Sequence, residues 1–206
     1  TLARTVADLD DRARVLGLVC DVTTPHDVKA AAVETWSRFG RVDALVNYAW
    51  GGFSWVTLWN CTLVDNSAAN GGAIQNSGPL GRVSMINCTV SGNRAVGDGS
   101  GGGSGGGGIW NEEGTLILNS CTITGNRASA AEGYGGGLAA RGLELITNTI
   151  ICGNFRGPGD TPEDINWGVI EQGVGMLVSL PVSIILDTNL AYNGGPTPTH
   201  ALIPGS

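Results

Sequence analysis

The 206-residue sequence has few charged residues and no long apolar run. Charged side chains supply 14% of the positions and apolar ones 42%, with a net charge of −7. Disorder requires low hydrophobicity and high net charge, and nucleic-acid binding requires a basic surface, so the composition disfavours both. The longest apolar-rich stretch, residues 174–186, contains a proline and is too short to cross a membrane as a helix.

Several motifs of enzymes and metal sites are missing. There is no C-x-x-C pair and no D-x-D-x-D-G loop, and His26 and His200 lie in different regions of the sequence and in different contexts. The sequence therefore predicts no metal centre and disfavours a serine–histidine hydrolase. We expect the cysteines to serve mainly as small apolar core residues, as unpaired cysteines usually do. They are Cys20, Cys61, Cys88, Cys121 and Cys152.

Residues 1–49 have the pattern of a β-α-β unit. Thr24 is placed to cap the N-terminus of a helix, Pro25 occupies its first position, and an apolar stripe continues to Phe39 before Gly40. Short apolar runs at 15–22 and 42–47 predict buried parallel strands on either side of this helix.

The stretch "CDVTTPHDVKAAAVETWSRFGRVDALVNYA" resembles the third strand, the next helix and the fourth strand of short-chain dehydrogenases. The resemblance implies that Asp21 and Val22 would lie near an adenine and that Asn47 begins the N-N-A-G motif. That motif reads N-Y-A-W here, and the sequence contains no Y-x-x-x-K pair and no glycine-rich first turn before this stretch. We therefore expect no NAD(P) binding, no other cofactor and no dehydrogenase activity, and we interpret the fragment as structural.

From residue 55 onward the sequence repeats itself. The segments "NCTLVDN", "NCTVSGN", "SCTITGN" and "NTIICGN" align at spacings of 27, 33 and 28 residues. One column holds Cys61, Cys88, Cys121 and Thr149, and a second column, five residues later, holds Asn66, Asn93, Asn126 and Asn154. The phrases "GGAIQN", "GGGIWN" and "GGGLAA" alternate with these segments. No repeat is long enough to bury its own apolar face, so the pattern predicts stacking into a parallel β-solenoid.

The alternation within a repeat predicts which side chains face the interior. We expect Leu116, Leu118, Cys121 and Ile123 to point inward and Thr122 to point outward. We expect the asparagine column to lie at a corner, because asparagine tolerates left-handed φ angles and stacked amides bond to one another along the axis.

These repeats resemble the right-handed parallel β-helix of the pectin-lyase-like group, and in particular the polymorphic outer-membrane-protein type with its "GGAI" and "GGGIWN" phrases. The resemblance implies an all-β right-handed parallel β-helix of about four to five coils for residues 51–206. Residues 1–50 would form a small α/β cap on its first coil, in a chimeric fusion joined near Trp50. An extracellular or bacterial cell-surface location is also implied, although no signal peptide is visible in the sequence.

Insertions follow the asparagine column at 94–105, 127–134 and 155–166, and we expect them to leave one edge of the solenoid as a wall. The glycine run 97–108 begins in the first insertion and ends in the phrase "GGGIWN". We interpret it as a flap and not as a phosphate-binding G-x-G-x-x-G loop, which would need a strand before it and a helix after it. The wall would carry acids next to aromatic rings, a combination that suits carbohydrate. The candidates are Glu132, Asp160 and Asp164 for catalysis, with Asp98, Tyr134, Arg127, Arg156 and Trp167 for substrate binding.

The sequence leaves several functions open. The first is a secreted or surface protein that presents a polysaccharide-binding face. The second is a glycoside hydrolase or polysaccharide lyase, since two facing carboxylates cleave glycosidic bonds and a lyase would find a base among Arg94, Arg127, Arg141 and Arg156. A third interpretation is that these acids have no role in binding or catalysis and are solvated loop residues. The threonine column Thr62, Thr89 and Thr122 adds an ice-binding face or an adhesin-type structural role as minor alternatives, and an uncapped coil would allow a homo-oligomer.

The cap hypothesis makes a direct prediction. Deletion of residues 1–49 exposes the apolar end of the first coil, so we expect the truncated protein to aggregate. Light scattering and thermal unfolding of the truncated and full chains measure this effect. A truncated protein that stays soluble and unfolds cooperatively would show that the fragment is not a cap.

Overall fold

The computed structural model describes residues 18, 20, 24–39, 54–97, 105–166, 170–195 and 197–204. The chain divides into two compact units, Thr1–Trp50 and Gly51–Ser206. In the first unit, helix α1 spans Pro25–Phe39 as predicted. Its first backbone bonds run from Asp27 N and Val28 N to Thr24 O at 3.1 and 3.2 Å, which places Thr24 at the N-cap position.

Other predictions for the first unit stay predictions. Apart from Leu18 and Cys20, the strands expected at 15–22 and 42–47 lie outside the described residues. Within the described part of the chain, no helix combines the length and apolar character that a membrane span requires.

The second unit is mostly β, and each sequence repeat contributes a set of short strands. The first repeat contains β1 (Ser54–Trp59), β2 (Thr62–Val64), β3 (Ser67–Ala68) and β4 (Ile74–Asn76). The second contains β5 (Gly81–Ile86), β6 (Thr89–Ser91), β7 (Arg94–Ala95) and β8 (Ile109–Asn111). The third contains β9 (Thr115–Asn119), β10 (Thr122–Thr124), β11 (Arg127–Ala128) and β12 (Leu138–Ala140).

The later repeats are less regular. The fourth contains β13 (Leu143–Thr147), β14 (Ile150–Cys152), β15 (Phe155–Arg156), β16 (Thr161–Pro162) and β17 (Ile165–Asn166). The fifth contains β18 (Ile170–Val174) and β19 (Leu177–Val178). A 3-10 turn (Val182–Ile184) and an antiparallel pair, β20 (Leu186–Ala191) and β21 (Thr199–Leu202), complete the unit.

Equivalent strands of successive repeats pair in parallel and form four sheets. The first sheet has the order β1-β5-β9-β13-β18 and the second β2-β6-β10-β14-β19. The third is β3-β7-β11-β15, with β16 antiparallel to β15, and the fourth is β4-β8-β12-β17. The pattern predicted two or three segments in each repeat, and the structure has four. Stacked parallel sheets of this kind are compatible with a β-helix-like solenoid.

The inward side chains form one core through the stacked repeats. Leu116, Leu118 and Ile123 are fully buried, Cys121 is buried beside them, and Thr122 lies on the outer side of the strand. The predicted alternation is therefore confirmed for these residues. The glycine phrase is also placed as predicted, because Gly106 donates its backbone N–H to Tyr134 O at 3.0 Å and Gly107 donates to Gly135 O at 3.0 Å.

The asparagine column forms a ladder of side-chain amides. Nδ2 of Asn66 donates to Oδ1 of Asn93, Nδ2 of Asn93 to Oδ1 of Asn126, and Nδ2 of Asn126 to Oδ1 of Asn154, each at 2.9 Å. Each of these oxygens also accepts the backbone N–H of the preceding asparagine, at 2.9 to 3.0 Å. The predicted bonding along the axis is confirmed.

The predicted left-handed φ of the asparagines is wrong. The residue before each asparagine adopts it instead, at Asp65, Gly92, Gly125 and Gly153, with φ between 55° and 69°. Three of these four residues are glycine, which adopts a positive φ without steric cost. The bend is therefore completed one residue earlier, and the asparagine amide is free to point along the stack.

The cysteines of the repeats are interior residues. Cys88 and Cys121 are each 2% exposed, Cys152 is fully buried, and Cys61 packs half-buried against the core. Burial raises the pKa of Cys152 to about 11. A hydrogen bond with Cys88 is the main reason that the pKa of Cys61 is raised. The expected core role of these four cysteines is confirmed.

Thiol labelling tests this burial. The thiolate is the reactive species, and a raised pKa lowers its fraction at pH 8, so we expect Cys61 and Cys152 to react slowly with iodoacetamide. Cys88 and Cys121 should be protected by burial, which leaves half-exposed Cys20 as the one fast thiol. Mass spectrometry should show all five labelled in urea, and the Cys20→Ser variant should lose the fast phase. Fast labelling of several thiols in the folded protein would contradict the described core.

Candidate functional site

The three predicted insertions leave the same side of the second unit. Their first two residues form β7, β11 and β15, which are neighbours in the third sheet. We call the described residues that follow these strands, 96–97, 105, 129–134 and 157–164, the insertion edge. Asp98 and Trp167, two of the predicted substrate-binding residues, lie outside the described residues.

Arg127 holds the last insertion in place. Its guanidinium forms an ion pair with Asp160, and its Nη2 donates to the carbonyl oxygens of Gly157 and Pro158 at 3.0 and 3.1 Å. Asp160 itself has a left-handed φ of 51°. The predicted acid Asp160 and the predicted binding residue Arg127 are therefore brought together, and their contact orders the 157–160 turn.

Glu163 and Arg156 make a second ion pair at the same edge. Arg156 Nε lies 3.2 Å from Glu163 Oε1, which also accepts from Asn166 Nδ2 at 2.9 Å. Glu163 Oε2 accepts the backbone N–H of Gly135 at 2.7 Å. One carboxylate thus connects the fourth repeat to the glycine turn of the third, and it is occupied on both oxygens.

Asp164 does not lie on the exposed wall where the sequence pattern placed it. It is 8% exposed, and its Oδ1 accepts from Asn154 N at 2.9 Å and from Asn154 Nδ2 at 2.8 Å. These are the two bonds that each asparagine of the ladder provides to the one before it. Asp164 therefore stands where the next asparagine would stand, and it ends the ladder with a group that accepts without donating.

A second buried ladder ends in the same way. Asn76 Nδ2 donates to Asn111 Oδ1 at 2.7 Å, and Asn111 Nδ2 donates to Glu144 Oε1 at 2.8 Å. Glu144 is fully buried in the column that continues from Leu116. The sequence pattern did not single out this residue, although an acid in a column of aliphatic residues is a visible exception.

Glu132 and Tyr134 are two further predicted site residues that lie at the insertion edge. Glu132 is exposed in a turn closed by a bond from Gly133 N to Ala130 O at 2.9 Å. The ring of half-buried Tyr134 lies against Gly105, where an added Cβ would come within 2.9 Å of Tyr134 Cε2 and 3.2 Å of Trp110 Cδ2. An acid, two aromatic rings and two ion pairs therefore line one side of the second, third and fourth repeats.

The C-terminal segment covers the predicted threonine face of the second sheet. Thr62 Oγ1 donates to Pro198 O at 2.6 Å, and Thr89 is only 3% exposed. Beside them, Ile185 and Leu186 form a small apolar cluster with Cys152. Thr62 and Thr89 are therefore covered within the protein, while Thr122 is half-buried.

One contact that the sequence pattern missed joins Ser91 and His200. Ser91 Oγ and His200 Nε2 are 2.9 Å apart, and His200 Nδ1 lies 2.8 Å from the carbonyl oxygen of Asp187. A carbonyl only accepts, so Nδ1 carries a proton in this contact, while Nε2 shares a hydrogen bond with the serine hydroxyl. Ser91 is 7% exposed beneath the segment. The pair therefore fastens the segment to the second sheet.

Two further observations concern metal ions and similarity to known proteins. Among the residues that the structure describes, no group of three or more histidine, cysteine or acidic side chains is arranged to hold a metal ion. Comparison of the chain with protein-family models, curated proteins and solved structures finds no match.

Two substitutions separate the ladder role of Asp164 from a role at the surface. Asp164→Ala leaves two donors of Asn154 without an acceptor, so we expect a loss of about 3 kcal/mol in the free energy of unfolding. Asp164→Asn keeps an acceptor and should lose less. Glu132→Ala, on an exposed turn, should change stability by under about 0.5 kcal/mol. Urea unfolding measures all three, and equal stabilities of Asp164→Ala and Glu132→Ala would contradict the ladder assignment.

Proposed function

We propose that residues 51–206 are a right-handed parallel β-helix of the pectin-lyase-like type and that residues 1–50 cap it. The in-register parallel pairing over four or five repeats supports this fold, as do the two buried amide ladders. Both features require equivalent residues to stack at one repeat distance, which is how solenoids bury a core that no single repeat encloses.

We propose that the protein binds polysaccharide at the insertion edge, in a secreted or bacterial-surface setting. The observation that carries this proposal is the ordering of the edge by the Arg127–Asp160 and Arg156–Glu163 pairs next to Tyr134. A preorganised edge loses little conformational entropy when it binds a ligand. Its aromatic ring suits the C–H face of a sugar, and its paired charges offer donors and acceptors to the hydroxyl groups.

Binding is favoured over glycosidic cleavage by the state of the acids. Cleavage needs two carboxylates on opposite sides of the scissile bond. Asp164 is buried in the ladder, Asp160 is paired with Arg127, and Glu163 is occupied on both oxygens. Glu132 and Asp160 are the exposed acids of the described edge, and Asp160 is the one paired with Arg127. A glycoside hydrolase or lyase therefore remains the second candidate.

A binding and activity screen tests this proposal. We expect affinity electrophoresis with soluble neutral and acidic polysaccharides to retard the protein. Tyr134→Ala and Glu132→Ala should each weaken binding about fivefold or more, as loss of one stacking or hydrogen-bonding group does. Glu113→Ala, an exposed acid in another turn, is the matched control.

The same samples test catalysis. Release of reducing ends or of unsaturated products from glycosides and pectin, abolished by Glu132→Ala or Asp160→Ala, would replace the binding proposal with the enzyme. Failure to retard on every polysaccharide, with no product released, would reject both.

A further inference from the structure

Two tryptophans stand on the outer face of the first sheet, away from the insertion edge. Side chains alternate along β1, so Leu58 packs against the core while Trp55 and Trp59 point outward. They are 68% and 69% exposed, although tryptophan is usually well buried. Thr57 lies between them on the same face. These two exposed indoles lie in line along one strand, and they do not contribute to the core.

The neighbouring strand completes a mixed surface. Register places Arg82 opposite Trp55, Ser84 opposite Thr57 and Ile86 opposite Trp59. The guanidinium carbon of Arg82 lies 4.9 Å from the centre of the Trp55 ring, a cation–π contact that orients the indole. Because Trp55 is largely exposed, the stacked arginine still leaves most of this indole open to solvent. On β1 and β5 the hydroxyl groups of Thr57 and Ser84 lie between the two tryptophan positions, and the same row continues with Ile117 and Leu145 on β9 and β13.

Charge narrows the choice of ligand. Among the outward positions of β1, β5, β9 and β13, Arg82 is the one charged side chain, and it is already stacked on Trp55. The whole chain carries a net charge of −7, which opposes the approach of a polyanion. The face therefore fits an uncharged ligand with apolar C–H faces and many hydroxyl groups.

We propose that this tryptophan face, formed by Trp55, Thr57, Trp59, Arg82 and Ser84, binds a neutral polysaccharide whose chain runs along β1. The four-residue separation puts the two indoles about 13 Å apart, so they stack on two sugar rings that are not adjacent. The hydroxyls of Thr57 and Ser84 bond to the sugar between them. This inference rests on the proposed polysaccharide-binding function, to which it adds a second site and a ligand class.

The pattern fits a sugar chain better than a protein partner. Stable protein interfaces bury more than about 1,000 Å² around an apolar, fully desolvated centre. Here the apolar groups stand at the two ends of β1, and the centre is occupied by Thr57 and Ser84. A narrow ligand with alternating apolar faces and hydroxyl groups can contact both the two indoles and the hydroxyl groups of Thr57 and Ser84.

Calorimetric titration of the full chain with neutral soluble polysaccharides (a β-glucan, a xylan and a mannan) and with polygalacturonate tests the inference. We expect a neutral polymer to bind and polygalacturonate not to compete with it. Trp55→Ala and Trp59→Ala should each weaken binding about tenfold, and Trp59→Tyr should restore most of it. Tyr192→Ala, which removes an exposed ring that is not on the first sheet, should have no effect. Thermal unfolding of each variant confirms that it folds.

The outcomes separate the two proposals. Binding that is lost in Tyr134→Ala and Glu132→Ala but unchanged in both tryptophan variants would overturn the tryptophan face and leave the insertion edge standing. Binding to no polysaccharide would overturn both. Self-association of the native chain that disappears in Trp55→Ala and Trp59→Ala, measured by sedimentation, would make the face an interface between copies and overturn its assignment to sugar.

Discussion

Buried amides control how the repeats of the second unit stack. An asparagine inside the stack needs partners for two donors and an acceptor. Each buried group left without a partner costs about 1–3 kcal/mol of stability. Asn126 satisfies this requirement by bonding to Asn93 on one side and Asn154 on the other, while also donating to the carbonyl oxygens of Val90 and Thr124. The spacing between repeats, the parallel pairing and the common exit of the insertions all follow from keeping these amides aligned.

The same requirement explains why Asp164 is buried and does not lie on an exposed wall. A ladder in which every amide donates in one direction must end on an acceptor, and Asp164 and Glu144 occupy those two ends. Asp160 and Glu163 instead neutralise Arg127 and Arg156 and order the last insertion. Most of the carboxylates around the described edge thus support the surface that we propose for binding, and the aromatic rings provide its contacts.

The sequence predicted features that repeat and missed those that occur once. Cys88 and Asn93 recur with their counterparts at similar intervals, so their columns and the inward position of Ile123 were visible. The strands of the third sheet have two residues each, too few for any periodicity. Asp164 follows Asn154 by ten residues instead of a whole repeat, and Ser91 meets His200 across 109 residues, so neither contact had a local signal.

Both buried ladders have a direction, and it determines how this architecture changes length. A repeat that supplies asparagine at both columns fits between any two existing repeats, because it accepts from the one before and donates to the one after. No asparagine can extend either ladder in the same way beyond Asp164 or Glu144, because a carboxyl group lacks the amide N–H bonds that donate from one repeat to the next. The number of repeats is therefore free to vary in the middle, while the acid-terminated end stays constant and keeps the last insertion with its two ion pairs.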